Sequence, residues 1–189
     1  MVTSATFQQK LAEGQIGESL IARYLRSRGW MILPVYEKEI DNGKGPRLFL
    51  PYDLPERELI APDLQGMKYR QIRWFEAKTK NAASYYRKKG RWQTGIDKRH
   101  YQDYLKVQSI TKWPVWLLFL QRFAIATNAP VGTPSCPTGL YGCPITQPIA
   151  DDGWFDRDGK RYYMVYWAID DLKKLATLAE VIAISEVPT

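Results

Sequence analysis

The stretch "WPVWLLFL", residues 113–120, constrains this chain more than any other. A run that is apolar at almost every position has no polar face to offer water, the mark of a strand buried on both sides within a sheet. It is far too short to span a bilayer. Such a strand needs neighbours at both edges and cover above and below, so segments before and after it must supply them.

Upstream, residues 6–28 place Leu11, Gly14, Gly17, Ile21, Tyr24 and Leu25 on one side of a 3.6-residue wheel, which predicts an amphipathic helix ended by Gly29. Glu18 falls inside that apolar sector, where a carboxylate is costly unless it is paired or binds a cation. "WMILPVYE" reads as a short strand, and 38–59, polar and punctuated by Pro and Gly, reads as a loop or flap. Residues 60–64 and 69–79 read as two strands joined near Gln65-Gly66. Residues 96–110 read as a helix with Asp97 as its N-cap. Downstream, 122–159 is rich in Pro and Gly and predicts an irregular insertion. "RYYMVYWAI" returns as a strand, and "DDLKKLATLAEVI" predicts a closing helix capped by Asp170 or Asp171. That order predicts one α/β domain over 1–189, a central sheet with helices on both faces.

The strand "RQIRWFEAKTK" is the unusual one. Successive strand side chains point to opposite faces, so Glu76 and Lys78 share one face while Phe75 and Ala77 share the other. A hairpin would bring Asp63 beside Glu76. Two hard oxygen donors that close repel each other unless a divalent cation sits between them. Lys78 would then stand beside the metal, placed to orient a water or to stabilise charge on a phosphorus centre.

The net charge of +7 is unevenly placed. Between Lys68 and Arg99 eleven basic residues face two acidic ones, a local excess of nine, so the rest of the chain nets −2. A concentrated basic excess is the footprint of a polyanion partner, because Lys and Arg displace counterions condensed on phosphates. Arg87, Lys88, Lys89 and Arg91, interleaved with Tyr85, Tyr86 and Trp92, read as a phosphate-gripping loop whose rings could stack on bases, with Lys98 and Arg99 as further contacts. An exposed solubilising loop would have the same composition. Charge alone does not separate DNA from RNA or from an anionic membrane. His100 is the sole histidine; a structural role and a phosphate contact both stay open for it.

Pro62-Asp63-Leu64 followed by Glu76-Ala77-Lys78 resembles the signature of the PD-(D/E)XK nuclease superfamily, the restriction-endonuclease-like fold. The opening "EGQIGESLIARYLRSRGW", with Gly14 four residues before Glu18, resembles the first helix of its Holliday junction resolvase branch. The resemblance covers about 13–120 with the last strand and helix, and implies a central mixed sheet flanked by helices. It implies Glu18, Asp63, Glu76 and the carbonyl of Ala77 as ligands of Mg²⁺, with Mn²⁺ as a substitute, and Lys78 as the catalytic lysine. The function implied is metal-dependent hydrolysis of DNA phosphodiester bonds, with a branched junction as one substrate and a homodimer as the assembly suited to cutting two strands. The long stretch before Asp63 and the segment after Arg122 depart from a minimal resolvase. A sequence-specific restriction-type or repair nuclease therefore stays open, as do a non-catalytic nucleic-acid-binding protein on the same fold and an assembly protein using its aromatic residues as an interface.

The start of the chain lacks the basic-then-apolar layout of a signal peptide, which predicts a cytoplasmic, intracellular protein without a membrane partner. Cys136 and Cys143 lack the paired spacing of a zinc site; a disulfide between them stays open beside the reduced thiols expected in that compartment.

Overall fold

The computed structural model describes residues 4–35, 46–51, 54, 58–123, 129–157 and 159–185. It has a mixed α/β architecture, as the sequence order predicts. Helix α1 (Ser4–Ser27) starts two residues earlier than its apolar periodicity. Gly29, at φ +85°, ends it: its N–H donates to the Arg26 carbonyl while the Trp30 N–H donates to that of Leu25. Only a residue at ease in the left-handed region closes a helix this way.

The six-stranded central sheet takes the order β1 (Met31–Pro34), β4 (Leu64–Lys68), β5 (Gln71–Lys80), β8 (Val115–Gln121), β9 (Gly139–Pro144), β12 (Lys173–Ala176). All its pairs are antiparallel except β5 with β8, whose connection includes helix α2 (Lys98–Thr111). Asp97 is the N-cap of α2, its carboxylate accepting the Arg99 N–H at 2.8 Å. The apolar run is β8, with two strand neighbours. Leu118 and Leu120 face a cluster containing Ile21, Tyr24 and Leu25 of α1 and Val181 of α3 (Leu178–Ser185). Leu117 and Phe119 face Tyr104 and Val107 of α2. Both faces of β8 are therefore core, as a continuous apolar strand requires.

Four expectations need correction. The second face is covered by α2 together with an unforeseen four-stranded antiparallel sheet, β10 (Asp151–Arg157), β11 (Lys160–Ala168), β7 (Arg91–Asp97), β6 (Ser84–Tyr86). "RYYMVYWAI" lies in that sheet and drives Val165 and Trp167 into the core. Second, the supposed insertion 122–159 contains β9 and β10; the glycines of "GLYGCP" hide its strand character, which pairing on both edges supplies. Third, the closing helix does not start at Asp170: a 3₁₀ turn (Ile169–Asp171) and β12 come first. The helix starts after Thr177, whose hydroxyl oxygen accepts the Glu180 N–H while Glu180 Oε2 accepts the Thr177 N–H, a reciprocal capping box. Fourth, the hairpin turns at Tyr69, φ +53°, instead of Gln65-Gly66, and 60–64 is split at Pro62 between β4 and a small hairpin of β2 (Arg47–Phe49) and β3 (Glu58–Ile60). Of the flap expected at 38–59, residues 38–45, 52–53 and 55–57 lie outside the described residues, as do 36 and 37 at the end of the expected first strand.

Candidate active site

The β4–β5 register makes Leu64 the partner of Phe75, so Asp63 lies at the next position, opposite Glu76. There the ladder forks. The Asp63 carbonyl accepts the Val35 N–H at 2.9 Å, turning its backbone away from β5, and its side chain takes the vacated place: Oδ2 accepts the Ala77 N–H at 3.0 Å. The N–H and C=O of one strand residue point to the same side, so the Ala77 carbonyl opens onto the same edge.

Glu76 is wholly buried and forms an ion pair with Lys78, whose ammonium also lies 4.0 Å from Asp63 Oδ2. Lys78 and the Tyr104 hydroxyl are polar groups packed against the Glu76 carboxylate. Above this face sits the N-terminal half of α2. Tyr104 is buried against Glu76, its hydroxyl held well above the usual tyrosine range by burial and then by Glu76 and Asp63. His100 is pushed down by burial and by Lys78, which favours neutral imidazole.

Glu18 reaches the fork from the opposite face of the sheet because α1 lies unusually close to β5. A Cβ on Gly17 would coincide with Thr79 Oγ1 and stand 2.7 Å from Thr79 Cβ, whereas one on Gly14 would meet nothing within 4 Å. Gly17, not the Gly14 of the motif, sets the approach. Glu18 is pushed up to about 7, by burial first and then by Asp63, with Lys78 opposing. Asp63 is likewise pushed up to about 7, by burial and then by Glu76, with Lys78 opposing. Burial alone would depress the Lys78 ammonium, but Glu76 and Asp63 outweigh it and hold the group above its ordinary value.

Asp63, Glu76 and Lys78 thus come together, with Glu18 near enough across the sheet to feel the charges of Asp63 and Lys78. As they lie, however, no group of three acidic, His or Cys side chains among the described residues is set to hold a metal ion. The Lys78 ammonium stands between Asp63 and Glu76, where it supplies the positive charge the carboxylates need. Of Arg23 and Arg73, the arginines that charge offers Glu18 as partners, Arg73 donates to Gln71 and lies over Trp30 and Trp116.

The predicted nucleic-acid contacts do not form one patch. Arg87, Lys88 and Lys89 lie in the β6–β7 turn, while Lys98 and Arg99 begin α2 at the other end of β7, about 20 Å away at a rise of about 3.3 Å per residue. Arg91 pairs with Asp171 at 3.6 Å, Lys98 with Asp152 at 2.8 Å, and Lys89 donates to the Ala150 carbonyl at 3.1 Å. Lys98 and Arg99 border an open cleft of about 280 Å³ with Arg161 and Tyr163 of β11. Both cysteines are buried free thiols. Among the described residues no helix is long and apolar enough to cross a membrane.

Sequence reasoning missed Lys80 and Gln121. Lys80 was visible by the parity that picked out Lys78, being two positions further along the same strand face.

No protein-family profile matches this chain, and no curated protein is similar to it at a significant level. Among solved structures, Hjc, a Holliday junction resolvase from the archaeal hyperthermophile Archaeoglobus fulgidus, is similar at a TM-score of 0.44 and 9% identity, over 79% of this chain and 86% of that one. A likeness at that level carries no functional argument, so function is argued from the geometry and chemistry of the fork itself.

Proposed function

We propose that this protein is a metal-dependent nuclease that hydrolyses DNA phosphodiester bonds at the fork between β4 and β5. The observation that carries this reading is the convergence of Asp63, Glu76 and Glu18 with Lys78, two of the acids pushed up to about 7 by burial and by one another. The donor set suits a hard divalent cation: the carboxylate oxygens of Asp63, Glu76 and Glu18, and the Ala77 carbonyl at a strand edge that no described strand covers. Glu18, Asp63, Glu76 and Ala77 would hold Mg²⁺ or Mn²⁺, which supplies Lewis-acid polarisation of the phosphate and an acidified water. Lys78 orients the attacking water and stabilises charge growing on phosphorus. Asp63, anchored by the Ala77 N–H, keeps β4 open so that a phosphodiester can approach the strand edge.

A branched DNA such as a four-way junction is the substrate we favour, with a homodimer placing two sites on two strands. The second reading, a nucleic-acid-binding module without chemistry, is favoured by the ion pair with which Lys78 closes the acid cluster. Cleavage of labelled linear duplex, single strand, flap and four-way junction with Mg²⁺ or Mn²⁺ separates the two. Metal-dependent products lost in Glu76→Ala and Lys78→Ala support the nuclease. Tight, salt-sensitive binding with no product from any substrate refutes it.

A further inference from the structure

The face of β5 that carries Glu76 and Lys78 continues to Lys80. By strand parity the three side chains point the same way, Lys80 about 6.7 Å beyond Lys78 at a rise of 3.3–3.4 Å per residue. Lys80 differs from Lys78 in its company. Among the described residues it pairs with no carboxylate, although it is only partly exposed. Its partner in the parallel register is Gln121, the last residue of β8, so the two side chains lie side by side on neighbouring strands. Gln121 is wholly buried; its Nε2 donates to Thr94 Oγ1 at 3.0 Å, which fixes the amide, and its Oε1 has no partner. A buried, fixed acceptor beside a cation without a counter-charge is an unusual pairing on this face of the sheet.

Burial depresses the Lys80 ammonium to about 8, and Lys78 adds to that while Glu76 opposes it. The cation is thus short of negative charge where it stands. A phosphate arriving at the strand edge would supply that charge, and the spacing of Lys78 and Lys80 is comparable to that of consecutive phosphodiesters along one nucleic-acid strand.

Resting on the phosphodiesterase reading above, we propose that Lys80, steered by Oε1 of Gln121, holds the phosphodiester adjacent to the one placed at Lys78. The substrate is then a polynucleotide strand read over two successive phosphates, laid along the open edge of β5. Lys80 is a binding and positioning residue, and Gln121 acts through it.

The test combines protein and substrate changes. Binding of labelled single-stranded and duplex DNA is measured against salt, in EDTA, for wild type, Lys80→Gln and Lys80→Arg. Melting curves confirm that each variant is folded. Loss of one phosphate contact lowers the slope of log K against log salt by about 0.9 for duplex and about 0.7 for single strands. We expect that loss in Lys80→Gln and its rescue in Lys80→Arg. Cleavage is then compared on DNA carrying one neutral methylphosphonate on either side of the scissile phosphate. Neutralising the phosphate that Lys80 holds weakens wild type, chiefly through KM, but weakens Lys80→Gln no further, because the two changes remove the same contact. An unchanged salt slope with additive methylphosphonate effects, in an enzyme that cleaves, overturns the role of Lys80 alone. Absence of binding to any DNA by wild type overturns it together with the nuclease reading.

Discussion

Replacing Gly17 by Ala adds one methyl group to α1, and the structure predicts that this methyl does more harm than its size suggests. Its Cβ would land on Thr79 Oγ1 and 2.7 Å from Thr79 Cβ, which is fixed to the strand backbone and cannot swing away. The helix must move off β5, at a cost of about 1–3 kcal/mol for overpacking, against a gain of about 1 kcal/mol from Ala's better helix propensity. Gly14 is the internal control, being exposed in the same helix with nothing within 4 Å of an added Cβ, so Gly14→Ala keeps the gain alone. The two variants should therefore differ by about 2 kcal/mol, which at a urea dependence of about 2 kcal/mol per molar separates their midpoints by about 1 M. Gly14→Ala should lie above wild type and Gly17→Ala below it. Lifting α1 also withdraws Glu18, so Gly17→Ala should lose metal-dependent cleavage while Gly14→Ala keeps it. Thr79→Gly in the Gly17→Ala background removes both the hydroxyl and the Cβ and should restore the activity. Equal midpoints for the two alanine variants would refute the claim that close helix-to-strand contact places Glu18.

Glu18 and Asp63 are raised to about 7 from ordinary values of 4.5 and 3.8, so the folded protein binds their protons more tightly than the unfolded chain does. Stability should therefore be greatest on the acid side of this window and fall as pH rises from about 4 to about 7. Urea midpoints at pH 5 and pH 8 should show this decline, Asp63→Asn should flatten it, and Mg²⁺ should stabilise more at pH 8 than at pH 5; a wild type that gains stability over this range contradicts the shifts. Lys78→Ala leaves Glu76 buried without its counter-ion and should cost about 3 kcal/mol, most of it recovered in Glu76→Gln/Lys78→Met, as read by thermal melting. Cys136 and Cys143 are buried, and burial pushes the Cys143 thiol up to about 12. Neither should react with a thiol reagent until urea unfolds the chain, and a fast stoichiometric reaction at neutral pH would contradict this packing.

The sequence made the central sheet legible where side chains follow a period. "WPVWLLFL" reads as a doubly covered strand, Asp97 announced its helix, and the parity of "WFEAK" put Glu76 with Lys78. What escaped it was set by partners distant in sequence. Strand β9, with two glycines among six residues, is a strand because β8 and β12 flank it. The segment 173–176 looks helical beside its C-terminal neighbours, and pairing with β9 makes it extended. At the site, type and spacing disclosed the acids and the lysine. They did not disclose that Gly17 governs the approach of α1, because Thr79 is 62 residues away. Nor did they show that the two basic clusters stand at opposite ends of β7, since chain neighbours on a strand separate quickly in space.

The fork at Asp63 also orders events in time. Asp63 and Glu76 are 13 residues apart on one hairpin, which needs only its own turn to close. Strand β8 can dock beside β5 only after a far longer loop, containing β6, β7 and α2, has been gathered. Loop length alone thus predicts that the two carboxylates meet while still in water, where their repulsion is slight, and lose that water when β8 and α2 arrive. Asp63→Asn should then leave hairpin formation nearly untouched and accelerate the later docking step at pH 8. In stopped-flow refolding this would appear as an unchanged rate for the phase read by probes in the hairpin and a faster one for the phase read by probes in α2. The charge cluster thus acts as a brake on the completion of the fold, released by the cation that the finished site is proposed to bind.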